Sequence, residues 1–304
     1  MTLLALLIGL VVERLATQLF HLRRLRWLDR LIDLGFRQIE RFANWPALIP
    51  VILLAVLLIL PVFLVLFSLE GRLYGMANFV LAIVVLFFSL GPKDIGEDVD
   101  EYCRAIEADD EERITSTAKA LIETDVPSDP HERIQRVEEA VCVQANNRLF
   151  AVIFWFVLFG PYGPLGAWAY RVTDLIRRRA VFNASRDAED ASPAVLSASI
   201  MMHGWLAWIP ARLTAIGYAM AGSFDGALTA WRHPDESKVM PQHEQSEYLL
   251  ARVGVGAMSL QEIKDESTSD RGVRGATAAN GMVFRLFIIW AAVIAAMTLY
   301  GTSL

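Results

Sequence analysis

Cysteine and histidine, the residues behind most metal and nucleophile chemistry, are scarce: the 304-residue chain has 2 cysteines and 5 histidines. Cys103 and Cys142 lie in polar, amphipathic stretches, with no C-x-x-C and no histidine at ligand spacing. That argues against a structural disulfide or a zinc site. A basic excess is missing too, since 28 Lys+Arg face 34 Asp+Glu for a net charge of −6. Beyond short arginine clusters there is no basic block, so no nucleic-acid partner is expected. Met1–Val12 is apolar but has neither a basic leading region nor a small-x-small cleavage site, so it is expected to be retained. No repeat of solenoid length is present.

The most informative absence is of charge itself. Five stretches carry none: Phe42–Leu69, Leu73–Pro92, Leu149–Tyr170, Ala191–Ala211 and Leu286–Leu304. All 62 charged side chains therefore crowd into the remaining 194 residues. A soluble globule mixes charge through its helices, whereas this chain partitions it. Hydrophobic residues make up 55% of the chain, above the roughly 45–50% of ordinary domains. Both features predict an all-α, polytopic helical membrane protein.

A bilayer core of about 30 Å needs about 20 helical residues. Met1–Phe20, Pro46–Ser68 (interrupted by Pro61), Tyr74–Leu90 and Phe284–Tyr300 meet or approach that length, giving about four full spans. Six arginines between His21 and Trp45 place that loop in the cytoplasm by the positive-inside rule, with Glu70–Leu73 as an outer turn. If Leu149–Tyr170 crossed fully, the arginines at 171, 177, 178, 179 and 186 would lie outside. Its centre, Gly160-Pro161-Tyr162-Gly163-Pro164-Leu165-Gly166, is a run no continuous helix should hold. It reads as a broken, re-entrant pair with both ends cytoplasmic, one kinked full span being the alternative. Ala194–Gly222, interrupted by His203-Gly204 and Ile209-Pro210, invites the same reading.

Between the membrane segments the periodicity is helical. Ile95, Val99, Tyr102 and Ile106 share one face; Ile114, Ala118, Leu121 and Ile122 form a second, after the turn Asp109-Asp110. Asp129 followed by Pro130 predicts a third helix start, with Ile134, Val137 and Val141 as its stripe. The expected organisation is membrane helices 1–3 with their basic loop over 1–92, and cytoplasmic amphipathic helices over 93–148. Two broken membrane elements follow over 149–222. Cytoplasmic helices and a flexible linker then occupy 223–281, the linker being polar Gln261–Gly281, and a final membrane helix closes the chain at 282–304.

Few residues suggest chemistry. Glu13 sits inside an apolar segment, where a carboxylate needs a partner or water. It is either a ligand or proton site, or an ion-pair member fixing helix packing. Pro210 would put Arg212 in the first turn of a helix, a position that favours anions, lipid phosphate included. Arg171 has the same two readings. Gln144, Asn146 and Asn147 lie at the entry to the first broken element, as caps or as polar contacts. His203 could titrate near neutrality, or serve as a hydrogen-bonded structural residue. A hydrated cavity between the broken elements, with Glu13 and Arg212 directed into it, would satisfy these groups together. No Walker motif, nucleophile–base pair or metal cluster can be read, and no catalytic group, metal ligand or cofactor is assigned.

At Phe154-Trp155, the Gly160–Tyr170 run and above all Ile209-Pro210-Ala211-Arg212-Leu213-Thr214-Ala215, the chain resembles the AmpE family. These are inner-membrane proteins encoded beside the AmpD amidase and implicated in regulating β-lactamase induction. That family is in turn similar to the cobalamin-biosynthetic membrane enzymes CbiB or CobD, which join an aminopropanol to a corrinoid carboxylate. The resemblance runs nearly end to end, and the departures from the enzymes are specific. Their E-N-T-x-D-G is here Val143-Gln144-Ala145-Asn146-Asn147-Arg148; their N-T-L-D is Asp174-Leu175-Ile176-Arg177; their D-D-V-A-N is His203-Gly204-Trp205-Leu206-Ala207. Glu13, Arg171 and Arg212 remain where the pattern carries comparable charges. The resemblance implies a retained scaffold with an altered or lost active site. Gln144, Asn147, Arg171, Asp174, His203, Arg212 and Glu13 are its candidate ligand-binding residues. Three functions compete: a non-catalytic signalling or ligand-binding protein, an amide-forming enzyme with a changed substrate, and a transporter. Lack of inverted-repeat symmetry counts against the last. The expected partners are membrane lipids, an anionic small molecule (phosphate-bearing or muropeptide-like) and a second copy of the chain.

Overall fold

The computed structural model describes residues 26–39, 45–69, 76–90, 94–186, 192–233 and 245–299. Among them there is no strand. The expected first span, Met1–Phe20, lies outside the described residues. Four helical runs are long and apolar enough to cross a membrane: Leu48–Ser68, Pro130–Leu158, Pro193–Ala221 and Thr268–Met297; Asn78–Ser89 is a shorter apolar helix. The protein is an all-helical, polytopic membrane protein.

The chain divides into two units. The first takes Met1–Pro92, Ala151–Leu206 and Ile294–Leu304. Its described helices are α1 (Arg26–Ile39), α2 (Leu48–Leu69) and α3 (Met76–Ser89). They are joined by a helical pair, α7 (Ala151–Leu158) and α8 (Gly163–Ala184), and by the first part of α9 (Pro193–Ala221). Its core is apolar side chains from α1, α2 and α8, among them Leu28, Ile32, Phe36, Val51, Leu54, Trp168 and Ile176. The outward face of α2 is apolar as well, with Leu53, Leu57, Phe63 and Phe67 exposed, as a lipid-facing helix requires.

The expected break at Gly160 is there. A single 3₁₀ turn, Gly160–Tyr162, separates α7 from α8, and Gly160 has φ 51°, a left-handed conformation suited to glycine. The pair packs backbone to backbone. A Cβ on Gly166 would sit 2.6 Å from the Trp155 carbonyl oxygen, and one on Gly163 would collide with that of Phe156. Gly163 has φ −47°, so any penalty there is steric alone. Gly163→Val is therefore expected to cost about 1–3 kcal/mol or more by overpacking. Gly281→Ala, with open space around it, should be neutral or slightly stabilising. Thermal unfolding of the two variants in detergent checks this, and equal melting points would refute the close approach.

The second expected break is absent. Pro193–Ala221 is one helix, α9, with Pro210 inside it. A proline has no N–H for the carbonyl four residues earlier, here Leu206. That oxygen instead accepts from Trp155 Nε1 at 3.1 Å. Trp168 Nε1 donates to the Leu58 oxygen of α2 at 3.1 Å, next to the Leu57 carbonyl that Pro61 leaves without its helical donor. At Pro210 the donor that the proline removes is thus replaced by Trp155, and α9 continues.

The second unit takes Lys93–Phe150 and Ala207–Val293. The three amphipathic helices appear where the stripes and caps put them: α4 (Ile95–Glu107), α5 (Glu111–Ile122) and α6 (Pro130–Ala145). Asp110 accepts from the Arg113 N–H at 3.0 Å and Asp129 from the Glu132 N–H at 2.9 Å. Ile95, Val99, Tyr102, Ile106, Ile114, Ala118, Leu121, Val137 and Val141 are buried in one core. Burial pushes the Tyr102 phenol up to about 12. The helices α10 (Phe224–Arg232), α11 (Gln245–Met258) and most of α12 (Thr268–Leu299) complete the unit.

A correction concerns Gln261–Gly281. It is not a linker beyond its first residues, because α12 begins at Thr268. Ser267 starts it, accepting from the Asp270 N–H at 3.0 Å and donating to the Asp270 carboxylate at 2.7 Å. Gly272 and Gly275 are packing positions: a Cβ on Gly272 would lie 3.0 Å from Ile106 and one on Gly275 would collide with Glu138, and Ala276 and Ala279 are buried.

Candidate functional site

Two buried polar clusters stand out, one in each unit. In the second unit α6 ends in a π-helical turn, Asn146–Phe150. Such turns appear mostly as single-turn bulges, frequently at functional sites, because the extra residue re-aims side chains. Four polar side chains at this junction are buried: Gln144 at the end of α6, and Asn146, Asn147 and Arg148 in the turn. Arg148 reaches Asp98 on α4 at 2.7 Å, Gln144 at 2.9 Å and the Ala120 carbonyl at 3.1 Å. A second chain of bonds runs from the Thr214 hydroxyl to Asn146 at 3.0 Å, from Asn146 to Asn147 at 3.0 Å, and from Asn147 to Glu247 on α11 at 3.1 Å. The cluster thus joins α4, the π-turn, α9 and α11 through amides and charges in a low-dielectric interior, where such networks specify one arrangement.

In the first unit Asp174 on α8 is held between two arginines of its own helix. Arg171 Nη1 lies 2.8 Å from one carboxylate oxygen and Arg177 Nη2 3.0 Å from the other. All three side chains are buried. His203, also buried, packs its ring 5.1 Å from that of Tyr170. At the far end of α8, Arg179 makes a two-pronged pair with Asp33 of α1, at 2.7 and 2.5 Å. Burial raises the Asp33 carboxyl, but the hydrogen bonds from Arg179 and Asn183 outweigh it and hold the group below the usual carboxylate range.

Of the residues singled out from the sequence, Gln144 and Asn147 fall in the first cluster and Arg171, Asp174 and His203 around the second. Glu13 lies outside the described residues. Arg212 is not in a helix's first turn, because Pro210 is internal to α9. Its guanidinium lies 3.9 Å over the Trp208 ring and donates to the Trp208 carbonyl at 2.9 Å. The free N–H groups that would have drawn an anion to it are not there. For the same reason the second wall of the expected cavity is not a broken element. Sequence reading missed Asp98, Arg148, Thr214, Glu247 and Arg177. Arg148 closes the charge-free run 140–147, which was a usable signal, whereas Arg177 follows Asp174 by three residues in a charged stretch. Asp98 and Glu247 look like ordinary solvated acids of amphipathic helices.

Comparison with known proteins gives a consistent result. The family model described as "Regulatory signalling modulator protein AmpE" matches residues 1–304. The chain is 24% identical to Protein AmpE of Shigella flexneri over 314 residues, covering 99% of each. It is 26% identical over 159 residues to the cobalamin biosynthesis protein CobD of Stutzerimonas stutzeri, a match spanning 49% of this chain and 47% of that protein. No solved structure matches.

Proposed function

The chain belongs to the AmpE family of regulatory signalling modulators, and from that membership we propose that it is a non-catalytic signalling protein of the bacterial inner membrane, linked to β-lactamase induction and cell-wall recycling. The observation that supports the non-catalytic reading is the fate of the buried carboxylates. Asp174 is engaged by two guanidiniums and Asp98 by a third. Carboxylates so held have their oxygens taken by guanidiniums of the chain itself and are not presented to a reacting group. The stretch that replaces the acidic D-D-V-A-N of the cobalamin enzymes continues as plain helix, with Trp205 and Trp208 exposed. In this reading the amide and arginine groups around Gln144, Asn147 and Arg148 receive an anionic small molecule, phosphate-bearing or muropeptide-like. Its binding is reported through α4, α9 and α11, and the arginine-rich segments face the cytoplasm.

The test is complementation. In a strain with inducible β-lactamase and its own family member deleted, expressing this chain should shift the induction response to a β-lactam. An unchanged response with the protein present in the membrane would sink the reading. The partial likeness to CobD supports one rival, an amide-forming enzyme. Purified protein that joins an aminopropanol to a corrinoid carboxylate would put that rival in its place.

A further inference from the structure

We propose that α1 is an interfacial helix that binds an anionic phospholipid surface through the exposed ridge Trp27, Leu31 and Leu34 with Arg30 along its border. The inference rests on the chain spanning a membrane and not on the signalling reading.

The helix has two apolar sides. Leu28, Ile32, Phe36 and Ile39 are buried against α2 and α8. Trp27, Leu31 and Leu34, which share another side at 3.6 residues per turn, are 58%, 42% and 54% exposed. Arg30 and Arg37 are exposed beside them. Three large apolar side chains in a row, facing outward and bordered by arginine, are unlike the scattered exposed leucines of an ordinary surface. They match the composition of helices that lie in the plane of a bilayer, apolar on one side and basic at the edge.

Depth supports the same occupant. Gly35 sits against Leu54 of α2, where an added Cβ would lie 2.6 Å from Leu54 Cδ1. Leu54 is six residues past the start of the apolar span at Leu48, which is about 9 Å along the helix. Interfacial helices bury their apolar face about 5–10 Å into the headgroup–acyl boundary. Trp45, exposed just before the span, marks that boundary as tryptophan does in membrane proteins. Its described part, Arg26–Ile39, carries Asp29, Arg30, Asp33 and Arg37, a charge density that suits a helix at the surface better than one inside the hydrocarbon. The Asp33–Arg179 pair pins its opposite side to α8, which fixes the ridge outward. Arginine at a leaflet surface is worth about a fivefold gain in affinity per charge for anionic over neutral lipid.

The experiment uses full-length protein carrying Cys103→Ser, with Leu34→Cys or Arg30→Cys spin-labelled and Cys142, which is buried, left in place. Each is reconstituted in vesicles of phosphatidylcholine alone, or of phosphatidylcholine and phosphatidylglycerol in equal parts. In the mixed vesicles the label at 34 should collide with membrane-dissolved oxygen severalfold more than with a water-soluble nickel chelate, and the label at 30 should show the reverse. The contrast at 34 should fall severalfold in phosphatidylcholine alone, or when Arg30→Gln is added to the Leu34→Cys protein. Nickel dominating at 34 in both vesicles would overturn the proposal, because the ridge then faces water. Neither reagent reaching 34 would overturn it in favour of a protein cover such as a second copy. Equal contrast in the two lipids would remove the anionic requirement and with it the site.

Discussion

Asp174→Ala is expected to cost about 3–5 kcal/mol, enough to remove most folded protein from the membrane. The carboxylate has one oxygen on Arg171 and the other on Arg177, three residues away on either side along α8. Neither arginine can leave easily, since both side chains are buried with the acid. Cutting back Asp174 takes a countercharge from two buried guanidiniums at once, and charges held away from water are costly without it. Asp174→Asn keeps the size and one acceptor oxygen, so it should lose less, roughly half as much. The measurement is the melting point and yield of each variant in the same detergent. A change below about 1 kcal/mol for Asp174→Ala would mean that the site is wet, with water replacing the carboxylate.

Much of the local architecture follows from short-range pattern. The stripe Ile95, Val99, Tyr102, Ile106 buries as a unit, and the Asp129-Pro130 start caps α6. Both are decided within a few residues, by helical periodicity and by one side-chain oxygen meeting a free N–H. The turn at Gly160 is legible for the same reason. Pro210 is not, because its effect depends on Trp155, a donor 51 residues before the Leu206 carbonyl it serves, which no window around the proline contains. Gln261–Gly281 misleads in the opposite direction. Glycine there is read as flexibility, while in α12 it lets other helices approach, at Gly272 towards Ile106. The polar clusters follow the same rule. Gln144 and Asn147 attract notice by sitting at the edge of an apolar stretch, but the group that organises them is Arg148, whose counterion is 50 residues away. Burial, and not residue type, turns Asp98 from a solvated acid into part of a site.

The Asp98–Arg148 pair gives the sharpest test of that last point. Both side chains are buried, at 7% and 4% exposed, and the pair ties α4 to the π-turn on which Asn146 and Asn147 stand. Arg148→Met is expected to cost about 3–5 kcal/mol, because the buried Asp98 carboxylate loses this guanidinium while Gln144 and the Ala120 carbonyl lose a donor. Asp98→Asn should cost less, since an amide still offers the guanidinium an oxygen. The double variant is the informative one. If the cost lies in the stranded charge, Asp98→Asn with Arg148→Met should recover a large part of the Arg148→Met loss, giving a coupling of the order of 2 kcal/mol between the positions. Removing both charges of a buried pair is often tolerated far better than removing one. Thermal unfolding of the four proteins in one detergent yields the cycle. Additive losses would show that Asp98 and Arg148 act independently, each through its other contacts. Recovery of the fold in the double variant, without recovery of the β-lactamase response that the proposed function predicts, would separate two roles of Arg148. It would then hold the bundle together as a countercharge and order the amides of the π-turn as a donor.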